Sequence, residues 1–131
     1  MKKTIICDLD GTLALLNGRN PYDASKCEND ILNKVVAGLL VGKNVLLVSG
    51  REDKYREQTV SFLNMHNIEY TNLWMRKSGD YRKDSIVKQE IFDAHIKDKF
   101  EIEFVLDDRN QVVEMWRQNG LICLQVADGN F

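Results

Sequence analysis

Two pairs of aspartates carry the chemistry of this chain: Asp8 and Asp10 in Ile5-Ile6-Cys7-Asp8-Leu9-Asp10-Gly11-Thr12, and Asp107-Asp108 after Glu103-Phe104-Val105-Leu106. Each pair closes an apolar, β-prone run, the position from which a parallel sheet delivers side chains to its functional edge. Carboxylates gathered in one place repel and raise one another's pKa, so four of them together call for a divalent cation that keeps them ionised. An all-oxygen ligand set of this kind suits Mg²⁺. Capping of the following helix is the simpler use of an Asp after a strand, but capping needs one Asp per helix, and here there are two pairs.

The elements that must position these residues alternate. Strands are expected over 3–8, 44–48, 70–75, 103–107 and 121–126. Between them, Ile31, Leu32, Val35, Val36, Leu39 and Leu40 recur at helical spacing and stop before Gly42, a C′ residue. Tyr55, Thr59, Phe62, Leu63 and His66 make a second helical face, Val87, Ile91 and Ala94 a third, and Val112, Val113 and Trp116 a fourth. Near-continuous apolar strands alternating with helices predict an α/β fold, a three-layer Rossmann-like parallel sheet of about five strands. The irregular stretch from Gly11 to about Asp23 carries Arg19 and the only proline, Pro21, and follows the first aspartate pair directly. Its length marks a functional loop over the same edge.

Composition excludes several classes. The chain has 131 residues, 44% of them hydrophobic, which fits one globular domain, 1–131. A net charge of −2 provides no global basic field for gripping duplex nucleic acid. Asp8 and Asp10 interrupt the N-terminal apolar run too early for a signal peptide, and no 18-residue apolar run exists, so a soluble, membrane-free protein is expected. Cys7, Cys27 and Cys123 are odd in number and show no CxxC, which fits core packing in a reducing cytosol. Gly38-Leu39-Leu40-Val41-Gly42-Lys43-Asn44 is not a Walker loop: it is one residue short, lacks Ser/Thr after the lysine and precedes a strand. His66 and His95 read as helix-face residues, and Trp74 and Trp116 as core.

Asp8-Leu9-Asp10-Gly11-Thr12 resembles the first motif of the haloacid dehalogenase-like phosphotransferases, and later residues fit the same family in order. Ser49 in Val48-Ser49-Gly50-Arg51 resembles the phosphate-binding hydroxyl of the second motif, Lys83 the lysine of the third, and Asp107-Asp108 the acidic fourth. The resemblance implies that Asp8 attacks phosphorus to form an aspartyl-phosphate and that Asp10 serves as acid, then base. It also implies that Mg²⁺ joins Asp8, the Asp10 carbonyl and one of Asp107 and Asp108, with Asp108 favoured, while Ser49 and Lys83 hold phosphate oxygens. Only 38 residues separate Asp10 from Ser49, and 33 separate Ser49 from Lys83, which leaves no room for the cap domain many members insert. An open site suits a large or polymeric substrate.

Gly18-Arg19-Asn20-Pro21-Tyr22-Asp23, Ser49-Gly50-Arg51-Glu52, Gly79-Asp80-Tyr81-Arg82-Lys83-Asp84 and the run from Asp107 to Arg117 look like the 3′-phosphatase domain of bacteriophage polynucleotide kinase-phosphatases. The likeness weakens over 53–77. It implies a Mg²⁺-dependent hydrolase that removes 3′-phosphate from DNA or RNA ends, in a bacterial or phage-infected cytoplasm, with a kinase or ligase working in trans. Arg19, Arg51 and Arg82 are the expected phosphate contacts, and Asp80 an acidic residue orienting Lys83 or Arg51. Two other readings compete: a capless phosphatase acting on nucleotides or another small phosphomonoester, and a non-enzymatic phosphoryl receiver. In a receiver the single phospho-accepting Asp follows a middle strand, whereas here the Asp-x-Asp comes first.

Overall fold

The computed structural model describes residues 3–131. Five parallel strands form the main sheet: β1 (Thr4–Cys7), β4 (Asn44–Glu52), β5 (Asn72–Arg76), β6 (Ile102–Asp107) and β7 (Cys123–Gln125), in the order β5-β4-β1-β6-β7. A small antiparallel pair, β2 (Ala14–Leu15) and β3 (Ile31–Leu32), lies between β1 and α1 (Lys34–Leu40). The remaining helices are α2 (Arg56–Met65), α3 (Asp84–Ile91), which ends in a wider turn over Phe92–Ile96, and α4 (Asn110–Gln118).

Alternation along the central strands builds a core on each face of the sheet. Ile5, Cys7, Val45 and Leu47 pack on one side with Val36 and Leu40 of α1 and Phe62 and Leu63 of α2. Ile6, Leu46, Val48 and Val105 pack on the other with Phe92, Ile96 and the α4 residues Val112, Val113, Met115 and Trp116. Burying side chains of this size contributes about 1.5–3 kcal/mol each. β1, buried throughout, is therefore the most firmly anchored strand, and Asp8 follows it directly.

The chain moves from β1 to one side of the sheet (β4, β5) and then to the other (β6, β7), so the topological switch lies at β1. Register does the rest. Cys7 pairs with Leu47 on one side and with Leu106 on the other, so one step further along the strands Asp8 comes beside Asp107.

Three local expectations need correction. Ile31 and Leu32 belong to β3 rather than to the first helix, because the Asn33 side chain accepts the Val36 amide and starts α1 after them. Ser49 lies within β4, which runs on to Glu52. The last strand is only three residues long. Among the described residues, no helix is long and apolar enough to cross a membrane.

Candidate active site

Asp8 sits at the floor of the site, 5% exposed, its amide donating to the Leu106 carbonyl at 3.0 Å. Its two carboxylate oxygens have different partners: Lys88 Nζ donates to Oδ1 at 2.8 Å and Thr12 Oγ1 to Oδ2 at 2.9 Å. Lys88 also reaches Asp107 Oδ2 at 3.0 Å, where Trp116 Nε1 adds a bond at 3.1 Å. The Asp108 amide donates to the other Asp107 oxygen at 2.9 Å, so Asp107 is held by three donors. Thr12 Oγ1 lies 3.4 Å from Asp108 Oδ1.

Burial, and next the neighbouring Asp107 charge, raise the Asp8 carboxyl well above its ordinary range. Burial chiefly raises Asp108 too. Burial works against the Lys88 ammonium, but Asp107 and Asp8 outweigh it and hold its pKa well above that of a free lysine. Three carboxylates around one ammonium leave an excess of negative charge. Asp8, Asp107 and Asp108 each offer an oxygen within 4.8 Å of the others. This hard-oxygen donor set with unbalanced charge fits Mg²⁺. Gly11 belongs to the same arrangement: at φ +78°, its missing Cβ leaves the space that the Asp108 carboxylate fills.

Asp10, two residues after Asp8, faces a different environment. Arg51 binds it through two bonds, Nε to Oδ2 at 3.0 Å and Nη2 to Oδ1 at 2.9 Å, and Arg19 Nη2 adds a third at 2.8 Å. Both arginines are anchored on the buried Asp30: Arg19 through Nε and Nη2 at 2.8 and 2.9 Å, Arg51 through Nη2 at 3.0 Å. Thr59 Oγ1 accepts from Arg51 Nη1 at 3.0 Å. Forked guanidiniums suit this geometry because their donors are planar and fixed. Asp10 is held in one orientation while its side chain stays 37% exposed at the cleft.

A third group closes the site from β5 and α3. Arg76 donates to the Gly50 carbonyl at 2.7 Å and to Asp84 Oδ1 at 2.9 Å, and Arg109 lies 3.6 Å from the other Asp84 oxygen. A side chain at position 50 would collide with the Asp84 carboxylate and displace it from Arg76. Burial opposes the Asp84 charge, but Lys88, Arg76 and Arg109 outweigh it and lower the carboxyl's pKa. Above lies an open cleft of about 1000 Å³, lined by Asp8, Asp10, Gly11, Arg51 and Asp84 and, further out, by Tyr22 and Tyr81.

A family model described as the polynucleotide kinase PNKP phosphatase domain matches residues 2–131. The chain belongs to this family. As a PNKP-type phosphatase domain it is 53% identical to a chain in a structure of the Pnkp1/Rnl/Hen1 RNA repair complex, with a TM-score of 0.95, over 99% of this chain and 44% of that one. It is 52% identical to a chain in a structure of the Pnkp1/Rnl/Hen1 complex, with a TM-score of 0.96, over 100% of this chain and 48% of that one. A protein of Autographa californica nuclear polyhedrosis virus, described as a bifunctional polynucleotide kinase/RNA ligase, is 30% identical over 123 residues, 88% of this chain and 18% of that protein. The chain thus spans under a fifth of the viral relative and a little under half of the two solved chains.

Within this PNKP-type domain the residues expected to act meet only in part. Asp8, Asp107 and Asp108 cluster, while the Asp10 side chain turns to Arg19 and Arg51 and away from them. Ser49 is buried at the same edge, its Oγ accepting the Arg51 amide at 3.1 Å. Lys83 lies on the exposed rim as the residue before α3, and the lysine brought to Asp8 is Lys88, a turn further along. Asp80 pairs with Arg82, whose hydrogen bonds lower the Asp80 carboxyl to about 2, and Arg82 also binds Glu90. The acid that touches the interior network is Asp84.

The sequence pattern assigns no site role to Lys88, Thr12, Asp30, Thr59, Asp84 or Arg109. One signal was available for Lys88: it adjoins Val87 on the apolar face of the third helix, four residues after an aspartate, where a solvent-exposed lysine would be out of place.

Proposed function

We propose that the chain is a Mg²⁺-dependent polynucleotide 3′-phosphatase working through an aspartyl-phosphate. The observation that carries the reading is the division between the two neighbouring carboxylates: Asp8 at the floor against Lys88, and Asp10 clamped at the cleft by two arginines. Two carboxylates in such different surroundings suit two different roles, nucleophile and acid-base. An Asp8 oxygen attacks phosphorus, the bond from phosphorus to the 3′-oxygen breaks, and Asp10 gives that oxygen its proton. Water then attacks phosphorus and gives its proton to Asp10, and the bond to Asp8 breaks to release phosphate. Asp8, Asp107 and Asp108 would hold Mg²⁺, which when bound would supply positive charge to offset that of the phosphate. Lys88 fixes Asp8 and keeps Asp107 paired, and the Ser49 hydroxyl retains a proton to donate to phosphate. Lys83 and Arg82, on the rim, face the charge of the remaining polymer.

Membership of the PNKP family and the open cleft support a polymeric substrate. The names of the relatives, a polynucleotide kinase/RNA ligase and chains of an RNA repair complex, support kinase and ligase partners in end repair, on the same longer chain or in trans. The test is phosphate release from 3′-phosphate oligonucleotides, 5′-phosphate oligonucleotides and free nucleotides, each with Mg²⁺ and with EDTA. The 3′-phosphate oligonucleotide is expected to be preferred, with activity abolished by EDTA. Preference for a free nucleotide or a sugar phosphate would instead assign a small-molecule phosphatase.

A further inference from the structure

The cleft has two chemical characters. Its floor is charged and handles phosphate, but Leu15 at the end of β2, Leu16, Pro21 and Tyr22 from the loop after it and Tyr81 from the loop before α3 also line it. Tyr22 is 88% exposed and Tyr81 83%, against complete burial of Trp116 and Phe62. A phosphate monoester alone has no use for such a surface. A ligand that matches it carries a flat, apolar group beside its phosphate.

Both tyrosines also stand on braced loops. Tyr22 lies in the turn closed by the Asp23 amide on the Asn20 carbonyl at 3.1 Å, and Arg19 Nη1 donates to the Asn20 and Asp23 carbonyls at 3.3 Å each. The same arginine binds Asp10. Tyr81 lies between two carbonyls, those of Asp80 and Arg82, that both accept from Arg76 Nη1, at 3.0 and 2.6 Å. Arg76 in turn holds Gly50 and Asp84 at the site. The backbone that carries each exposed ring is thus tied through one arginine to a residue of the site. A braced backbone need not be ordered on contact, which lowers the cost of stacking on the rings it carries.

Resting on the 3′-phosphatase reading, we propose that Tyr22 and Tyr81 form a stacking platform for the nucleobases at the phosphorylated end, making the cleft selective for a base-bearing terminus. Stacking tolerates every base, because each has a π face, so the platform requires a base without reading its identity.

The test measures KM and kcat for phosphate release with two oligonucleotides that differ only in the terminal unit: one ends in a base-bearing 3′-phosphate nucleotide, the other in an abasic sugar 3′-phosphate. Wild type is expected to show a KM roughly 5- to 150-fold higher for the abasic end, the range of one stacked base. Tyr22→Ala and Tyr81→Ala should raise KM for the base-bearing end toward the abasic value and leave the abasic end unchanged. Tyr22→Phe and Tyr81→Phe should behave as wild type, since the ring and not the hydroxyl does the stacking. Equal KM for both ends in wild type, equal losses on both ends in the alanine variants, or a loss in the phenylalanine variants would overturn the platform. If wild type releases no phosphate from any 3′ end, the 3′-phosphatase reading falls and the platform with it, a result distinct from active enzyme indifferent to the base.

Discussion

Replacing Lys88 by Met keeps most of the side chain's length and removes only the charge that joins Asp8 to Asp107. All three groups are buried, with side-chain exposures of 1%, 7% and 3% for Lys88, Asp8 and Asp107. Removing one member of a buried ionic group costs about 3–5 kcal/mol, because the remaining charges lose their compensation. With an unfolding entropy of about 2.1 cal/mol/K per residue, a chain of 131 residues loses roughly 3–4 °C of Tm per kcal/mol, so the variant should melt about 10–18 °C lower at pH 7.5. The pH dependence has a definite sign. Asp8 already carries a raised pKa in the folded protein, and loss of Lys88 raises it further; the unfolded value is common to both proteins, so the pH-dependent part of the deficit is absent below the raised wild-type value and grows as pH rises from it toward the still higher value in the variant. Mg²⁺ should restore part of the lost stability by supplying the missing positive charge. Thermal melts of wild type and Lys88→Met between pH 4 and 8, with EDTA or Mg²⁺, provide the check. A Tm change under 3 °C, or a deficit independent of pH, would refute the view of Lys88 as the charge that balances the two aspartates.

Three further outcomes follow from the same geometry. Asp8→Asn should abolish phosphate release while the circular dichroism spectrum and Tm in EDTA remain at least those of wild type, since the substitution removes a charge that burial disfavours. Gly11→Ala should lose about 1–2 kcal/mol from its left-handed backbone, and by displacing Asp108 it should also remove the rise in Tm that Mg²⁺ produces in wild type. Asp84 has a lowered folded pKa, so its contribution is present above the ordinary carboxylate range and lost as pH falls through the folded value. Urea melts should therefore show Asp84→Asn less stable by about 1.5–3 kcal/mol at pH 7, with the difference fading toward pH 3.

The parts of the site that are legible in the sequence are those set by strand ends. Asp8 and Asp107 each close an apolar β run, and parallel register then brings them together without further information. The parts that are not legible depend on contacts between distant segments. Lys88 and Lys83 are the same residue type five positions apart, and only the packing of α3 against the sheet decides that Lys88 points to Asp8. Asp30 gives no signal of its own, yet it anchors Arg19 and Arg51, the latter 21 residues away. The first helix was expected to begin too early because Ile31 and Leu32 fit helical spacing as well as they fit a two-residue strand, and the Asn33 cap decides the boundary. In the same way, the exposure of Tyr22 and Tyr81 follows from two arginine-braced loops that no local pattern describes.

The central claim is that Asp8 takes the phosphoryl group from a polynucleotide 3′ end. Rapid acid quenching of the enzyme during turnover of an oligonucleotide with a radiolabelled 3′-phosphate tests it most directly. The account predicts Mg²⁺-dependent label on the protein, released by hydroxylamine, mapped to the peptide containing Asp8 and absent from Asp8→Asn. Label on another residue, or phosphate release by Asp8→Asn at the wild-type rate, would contradict it.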